Sequence, residues 1–341
     1  MGLFRSTDGG SSWVVVGGNW GAASSIAFHR DGTIYAIMWE ALIRSTDSGN
    51  SWDVLPLPTY ASVRLLANPT GELILGADNY IFRSTDRGST WTKSTFFDIW
   101  PWGFYALGMD SSHIMYAGTE GNGIFRSSDN GVSWTQANAG LTVWTVGATK
   151  YSYISSFYAT NEYILAGGGD GIYKSTNNGE SWSLWTTRGV YGGTQGSISS
   201  IVGHGNGILH AGTSMGGIFT SIDNAVTWTR STDGVPIGWY VQALTTDSSG
   251  NAYAGIGGYG VLKSTDKGTS WHPSNNGIMR TDVQTVITNS KGYVFAGTAT
   301  GGVFRSTDKG NEWLNVSTGL MSSNVRSLIF NFQGDLLAGV M

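Results

Sequence analysis

The sequence predicts an all-β fold built from eight similar sheets, and two observations support this prediction. One octapeptide motif, S-x-D-x-G-x-[S/T]-W, recurs eight times with small variations, and the tryptophans that close successive copies lie 39 to 48 residues apart. A period of that length is typical of stacked or radial supersecondary units. The composition agrees, because 51 glycines among 341 residues and only 12% charged residues suit many short strands joined by tight turns. The copies are Ser6–Trp13, Ser45–Trp52, Ser84–Trp91, Ser127–Trp134, Ser175–Trp182, Ser221–Trp228, Ser264–Trp271 and Ser306–Trp313.

Each repeat reads as four strands. Residues 283–316 show the pattern most clearly, as the runs VQTVITN, YVFAGT, VFRSTD and EWLNV separated by short segments rich in Gly, Ser, Asn and Lys. Short β-branched and aromatic runs bounded by such residues indicate strands joined by hairpins. The octapeptide motif therefore spans the turn from the third strand to the fourth.

Three positions of the motif have separate physical roles. The acidic position is expected to accept hydrogen bonds from backbone N–H groups that follow it, which closes the turn. The glycine supplies a positive φ, and the tryptophan buries a large apolar surface against the neighbouring sheet. The acidic position holds Asp8, Asp47, Asp86, Asp129, Asn177, Asp223, Asp266 and Asp308.

Three copies depart from the motif. Asn177 replaces the aspartate but keeps an acceptor oxygen, and Glu312 replaces the Ser or Thr. Ala225 replaces the glycine, so its turn is expected to be strained.

The ends of the chain complement each other. The chain begins at the third strand of a repeat, and it ends with residues that supply a first and a second strand. We therefore expect an all-β, eight-bladed β-propeller of four-stranded antiparallel blades, whose closing blade is shared between the N- and C-termini. A segment of a longer array is the alternative. The prediction is a single domain, 1–341, with blades at about 20–55, 60–95, 102–137, 143–187, 197–231, 239–273, 283–316, and 325–341 joined with 2–16.

The motif resembles the Asp-box, or bacterial neuraminidase repeat, over the whole chain. That family includes β-propellers of sialidases, xyloglucanases, sortilin-type receptors and a photosystem II assembly factor. The resemblance implies that the motif stabilises a turn on the face away from the ligand. It also implies that the same fold supports unrelated functions. It also implies a location outside the cell, at its surface or in the periplasm, as a module of a larger secreted protein.

Several functional classes are not expected. The formal net charge is −4 and the basic residues form no cluster, which argues against a nucleic-acid partner. No apolar run long enough to insert into a membrane occurs. The five histidines are scattered without metal-ligand spacing, so neither a metal nor a cofactor is expected.

The unusual residues lie in the connections opposite the motif, either between the second and third strands or between blades. Exposed aromatic rings there offer apolar contacts, and nearby polar groups offer directional hydrogen bonds. The sequence therefore predicts a non-catalytic binding or scaffold propeller that recognises an extracellular glycan or protein through its loop-rich face. Filling of a wide channel is the alternative, especially for Trp144 and Trp239, which adjoin predicted first strands. The predicted ligand-binding residues are Trp39, Trp100, Trp102, Tyr105, Glu120, Tyr191 and Tyr259.

A glycoside hydrolase is the alternative function, and a purely structural ring is a third. A xyloglucanase-like enzyme requires two carboxylates across a cleft, for which the candidates on that face are Glu40, Asp78, Glu120 and Asp170. The resemblance to sialidases implies a tyrosine nucleophile and an arginine cluster. However, the residue before the motif is basic in seven copies, which favours a contact between blades for that group. These residues are Arg5, Arg44, Arg83, Arg126, Lys174, Lys263 and Arg305.

Overall fold

A computed structural model describes the whole chain except residues 1, 17–20, 22, 24, 40, 60–62, 78, 95–102, 143, 147–148, 152, 187–196, 205, 237 and 280–281. The described residues form 34 strands and no helix. Numbered along the chain, the first seventeen are β1 Gly2–Ser6, β2 Val14–Val15, β3 Ser25–Phe28, β4 Ile34–Ile37, β5 Leu42–Ser45, β6 Asp53–Leu55, β7 Val63–Ala67, β8 Leu73–Ala77, β9 Tyr80–Ser84, β10 Thr92–Lys93, β11 Phe104–Met109, β12 Met115–Thr119, β13 Ile124–Ser127, β14 Thr135–Gln136, β15 Trp144–Val146, β16 Thr149–Tyr151 and β17 Ile154–Ala159. The others are β18 Ile164–Gly168, β19 Gly171–Ser175, β20 Ser183–Thr186, β21 Ile198–Gly203, β22 Leu209–Thr213, β23 Ile218–Ser221, β24 Thr229–Ser231, β25 Val241–Thr246, β26 Ala252–Ile256, β27 Gly260–Ser264, β28 His272–Pro273, β29 Val283–Thr288, β30 Val294–Thr298, β31 Gly302–Ser306, β32 Leu314–Asn315, β33 Val325–Phe330 and β34 Leu336–Val340.

These strands form eight four-stranded antiparallel sheets, so the chain folds as an eight-bladed β-propeller, which confirms the predicted fold class. Blades 1 to 3 are β3–β6, β7–β10 and β11–β14, and blade 4 is β17–β20. Blades 5 to 7 are β21–β24, β25–β28 and β29–β32. In each of these blades the strands are paired in chain order.

Blade 8 contains both ends of the chain. Its order is β33, β34, β1 and β2, and β1 pairs with β34 in antiparallel register from Gly2 opposite Val340 to Ser6 opposite Leu336. The prediction of a blade shared between the termini is therefore confirmed.

The chain divides into two compact units. The terminal unit, Met1–Ala23 and Val190–Met341, contains blades 5 to 8, and the central unit, Ser24–Gly189, contains blades 1 to 4. The central unit also has a separate two-stranded sheet in which Trp144 pairs with Tyr151. The prediction that Trp144 adjoins a first strand was wrong, because the first strand of blade 4 begins ten residues later, at Ile154. An additional hairpin occupies the connection between blades 3 and 4.

The burial of each strand follows its position in the blade. Second strands such as Met115–Thr119 and Ala252–Ile256 are buried at every residue, because blades pack on both of their faces. Their sequences are accordingly apolar without alternation. Within each unit the first strands of consecutive blades contact one another, whereas most fourth strands are two or three residues long and largely exposed.

The octapeptide motif forms the same hydrogen-bonded turn in all eight blades. In blade 8, the Ser6 hydroxyl donates to Asp8 and accepts from the Gly10 N–H at 2.7 Å. The Ser12 N–H donates to the Asp8 carboxylate at 2.9 Å, and the Ser12 hydroxyl donates to its other oxygen at 2.6 Å. The carboxylate is therefore saturated within its own turn, and the expected role of the acidic position is confirmed.

The three variant copies keep the turn. The Asn177 side chain accepts from the Ser181 N–H and donates to the Ser181 hydroxyl. Glu312 lacks a hydroxyl, so Asp308 receives only its backbone N–H at that position. Ala225 has φ of 60°, in the left-handed region that disfavours a side chain, as the sequence predicted.

In blades 2 and 7 the basic residue before the motif connects neighbouring blades. Arg83 donates to the Asn130 carbonyl of the next motif at 2.8 Å, and Arg305 donates to the Gly9 carbonyl at 2.7 Å. Arg83 also forms an ion pair with Glu72 of its own blade at 2.9 Å. These contacts support the structural assignment of this group of arginines.

A second inter-blade contact, which the sequence interpretation missed, follows the fourth strand in four places among the described residues. There the N–H of the motif tryptophan in the next blade donates to a carbonyl, as from Trp271 to Asp233 at 3.1 Å. The residue after that carbonyl is a glycine with positive φ, and a Cβ on Gly234 would lie 1.6 Å from the Trp271 carbonyl oxygen. The signal in the sequence is a glycine followed by an apolar residue, at Gly140–Leu141, Gly234–Val235, Gly277–Ile278 and Gly319–Leu320.

Candidate functional site

The loops between second and third strands lie on the same side as the connections that lead into first strands. We call this side the loop rim and the side of the octapeptide motif the motif rim. Among the described residues, six blades have a bond from the N–H of the residue after the second strand to the carbonyl of the residue immediately before the first strand. Examples are Gly257 to Tyr240 at 3.1 Å and Glu120 to Gly103 at 3.3 Å. This backbone hydrogen bond holds the segment after the second strand against the connection that leads into the first strand. The side chains on both segments therefore hold defined positions.

The same six first strands contain a β-bulge next to the loop rim. In blade 6 the register shifts between Val241 and Ala243, which leaves Gln242 unpaired. Bulges of this kind redirect a side chain and occur often beside functional sites. In the sequence, such a bulge is indicated by buried residues three positions apart, whereas buried residues in a regular strand are two positions apart. The bulged residues are Tyr105, Ser155, Ser199, Gln242, Gln284 and Arg326.

In the terminal unit, exposed aromatic rings gather around blade 6. We call this the Trp239 surface, formed by Trp239, Tyr240, Gln242, Tyr259 and Asp282. The Trp239 and Tyr259 rings are 6.1 Å apart between centroids at 56°, and Trp239 and Tyr240 are 40% and 42% exposed. Channel filling, the alternative for Trp239, stays a prediction, although the ring is not buried.

Two glycines allow these side chains to converge. A Cβ on Gly258 would lie 2.5 Å from the Trp239 ring. A Cβ on Gly257 would lie 3.2 Å from the Gln242 amide nitrogen and 3.7 Å from an Asp282 carboxylate oxygen. The loop backbone therefore passes directly between an aromatic ring, an amide and a carboxylate. Met215 and Met279, on loop-rim connections of the same unit, are also exposed.

In the central unit, two of the predicted site residues come together. Burial, together with the negative charge of the Glu120 carboxylate, raises the pKa of Tyr105. The Tyr105 ring is in edge contact with Tyr153 at 4.9 Å, and Arg64 Nε donates to the Tyr105 carbonyl at 2.9 Å. We call this group the Tyr105 cluster. At neutral pH its tyrosine is therefore protonated.

The other predicted residues are placed less favourably or lie outside the described residues. Trp39 is 69% exposed on the loop rim of blade 1. Asp170 is 5% exposed, and its carboxylate accepts hydrogen bonds from Thr142 at 2.8 Å and Tyr173 at 3.3 Å. These bonds give Asp170 a structural environment rather than an open one. The candidates outside the described residues are Glu40, Asp78, Trp100, Trp102 and Tyr191.

Two further features bear on the class of site. Among the described residues, no three His, Asp or Glu side chains are grouped closely enough to hold a metal ion. In the part of the chain that the structure describes, no helix has the length and apolar character needed to cross a bilayer.

Comparisons with known proteins show the fold without showing a family. No protein-family model and no curated protein sequence matches the chain. Among solved structures, the xyloglucanase of family GH74 from Xanthomonas campestris is similar with a TM-score of 0.59 and 16% identity, over 92% of this chain and 64% of that chain. Sqt1 from Saccharomyces cerevisiae is similar with a TM-score of 0.65 and 13% identity, over 94% and 96%. YCF48 bound to D1 peptide is similar with a TM-score of 0.51 and 17% identity, over 72% and 81%.

These similarities concern different kinds of protein. One neighbour is an enzyme that acts on a polysaccharide, and another was solved with a peptide bound. The chain spans less than two thirds of the length of the xyloglucanase. The comparisons therefore establish the propeller architecture, and the site must be interpreted from its own residues.

Proposed function

We propose that this protein is a non-catalytic binding or scaffold propeller that recognises an extracellular glycan or protein through its loop rim. The observation that carries the proposal is the Trp239 surface, where exposed rings stand beside an amide and a carboxylate. Rings and directional polar groups in that combination suit both a sugar ring and a peptide segment. The sites of action proposed from the sequence remain the cell exterior, the cell surface or the periplasm.

The rigidity of this surface supports a binding role. The Gly257 N–H bond to the Tyr240 carbonyl and the Gly238 N–H bond to the Met215 carbonyl, at 3.1 and 3.3 Å, hold three connections together. A surface that is ordered before the ligand arrives loses less conformational entropy on binding. The contacts of Trp239 with Tyr259 and Gly258 restrict its ring in the same way.

The experiment is a binding screen of the protein against glycan and peptide libraries, followed by titration of the best ligand. Trp239→Ala is expected to weaken binding at least about tenfold, because a buried tryptophan contact is among the strongest in interfaces. Phe332→Ala is the matched control, since Phe332 is a large exposed ring on the motif rim of the same unit. Equal affinity in the wild type and the Trp239→Ala variant would contradict the assignment of the surface.

A glycoside hydrolase is a second candidate, and the Tyr105 cluster favours it. The Glu120 carboxylate is near enough to the Tyr105 phenol to raise its pKa, and Arg64 donates to the Tyr105 carbonyl. If the protein cleaves polysaccharides, Glu120→Gln should abolish the release of reducing sugar and leave the melting temperature nearly unchanged. Glu40→Gln, Asp78→Asn and Asp170→Asn test the remaining carboxylates in the same assay. An unchanged rate in Glu120→Gln would remove this cluster from the catalytic hypothesis.

A further inference from the structure

Blade 5 has two histidines where two other blades have an aspartate and a tyrosine. His204 directly follows the first strand, and His210 is the second residue of the second strand. Their ring centroids are 5.9 Å apart at 86°. In blades 3 and 6 the same places hold a tyrosine whose hydroxyl donates to a carboxylate, Tyr116 to Asp110 and Tyr253 to Asp247.

The hydrogen bonds around His210 determine its tautomer. Ser231 donates its hydroxyl proton to the Gly268 carbonyl at 2.6 Å, so it can only accept from Thr220. Thr220 therefore gives its single proton to Ser231 and accepts from His210 Nδ1 at 3.0 Å. The ring is neutral with its proton on Nδ1. Its Nε2 is a buried lone pair without a hydrogen-bond partner among the described residues.

His210 lies in the joint between blades 5 and 6. It is 0% exposed, and its ring is in edge contact with Trp271 of blade 6 at 5.7 Å. A Cβ on Gly268, in the motif of blade 6, would lie 2.6 Å from the His210 ring. A proton added at Nε2 would thus place a positive charge inside a closely packed interface, where it lacks a hydrogen-bond acceptor.

One charged group acts on this pair. Asp247 at the end of the first strand of blade 6 attracts a proton toward His204. Its carboxylate already accepts from Asn251 at 2.7 Å and Tyr253 at 3.0 Å. The faces of His210 toward Thr220, Ser231, Gly268 and Trp271 carry no formal charge. Burial, with His204 adding to it, lowers the pKa of His210 to about 4, and burial also lowers the pKa of His204.

We propose that the joint between blades 5 and 6 is an acid-sensitive device, which opens when His210 takes up a proton while the joint between blades 6 and 7 stays closed. Because His210 is harder to protonate in the closed joint than in the open joint, the closed joint is more stable at neutral pH than in acid. The stabilisation is present above the ordinary pKa of 6.5 and is lost as the pH falls toward 4. Between about pH 8 and about pH 5, linkage predicts a rise of roughly 30-fold in the opening equilibrium.

Amide hydrogen exchange at the two pH values, corrected for intrinsic rates, tests this inference. Amides of β22, β23 and β27 should lose roughly 30-fold in protection at the lower pH. Amides of β30 and β31, beside the joint of blades 6 and 7, should change little, since Tyr253 and Asp247 occupy that joint. A uniform loss at both joints would overturn the proposal.

A matched variant separates this joint from general acid effects. The double substitution His204→Asp/His210→Tyr rebuilds the pair found in blades 3 and 6, and it should abolish the selective loss of protection. An undiminished loss in that variant would also overturn the proposal. If the variant does not fold, NMR of the imidazole nitrogens in the wild-type protein tests the proposal instead. A His210 ring that remains neutral with its proton on Nδ1 at pH 6 supports the proposal, and one that titrates near 6.5 contradicts it.

Discussion

The motif rim and the loop rim of this propeller follow opposite rules. On the motif rim, every blade closes its turn with the same bonds from serine hydroxyls and backbone N–H groups to one acidic or amide side chain. On the loop rim, the backbone brace is shared, but the side chains differ from blade to blade, from Glu120 in blade 3 to Trp239 beside blade 6. The comparison shows that repetition stabilises one side and leaves the other free to vary, which is where a ligand site is expected.

The largest predicted effect breaks a contact between blades. Gly234→Ala should destabilise the protein by more than about 4 kcal/mol, because the new Cβ would meet the Trp271 carbonyl oxygen at 1.6 Å and backbone must move. Gly250→Ala is the matched control, since Gly250 also has positive φ but nothing lies within 4 Å of a Cβ there. It should cost only about 1–2 kcal/mol. Urea unfolding measures both, and equal losses would show that the close approach does not matter.

A second pair of substitutions tests the glycine of the octapeptide motif in opposite directions. Gly268→Ala should cost about 2–4 kcal/mol, because its Cβ would strain φ and overlap Thr220 and His210. Ala225→Gly should stabilise the protein by about 0.5–1 kcal/mol, because it relieves a φ of 60°. Thermal unfolding of the two variants should therefore show shifts of opposite sign. A loss of stability in Ala225→Gly would mean that the turn of blade 5 accommodates the alanine without strain.

Acid should weaken the motif rim in a defined range. Hydrogen bonds from the following serine or threonine lower the pKa of Asp8 and Asp47 to about 2, and such bonds also lower the pKa of Asp129 and Asp266. A carboxylate with a lowered folded pKa stabilises the fold above its unfolded value of 3.8, and this contribution is lost as the pH falls toward 2. The free energy of unfolding should fall steeply between about pH 4 and 2. A flat profile there would contradict the turn geometry.

The smallest expected effect completes the incomplete motif. Glu312→Ser restores the hydroxyl that donates to the acidic residue in other blades, such as from Ser12 to Asp8. It should raise the free energy of unfolding by about 0.5–1 kcal/mol. Asn311→Ser is a control at the adjacent exposed position, where no gain is expected. Equal gains in both variants would assign the effect to surface composition.

The two rims also differ in how far the sequence predicts them. The motif residues are linked over eight positions of the chain, so local hydrogen bonding decides their arrangement and the sequence reveals it. The contact between Trp239 and Tyr259 joins connections twenty residues apart, and the bulge at Gln242 depends on pairing with another strand. These features require knowledge of which strands are neighbours.

By itself, the sequence determined the number of blades, the turn chemistry at Asp8 and its equivalents, and the shared blade in which β1 pairs with β34. The motif turns repeat, and each copy is stabilised by contacts within a few residues, whereas the shared blade was predicted from the strands that the two ends of the chain supply. Only the tertiary structure decided that Asp170 is buried, that Tyr105 packs against Tyr153, and that His210 faces Trp271. Burial and long-range contacts depend on how neighbouring blades of a unit pack against each other, and that packing varies with side-chain volume.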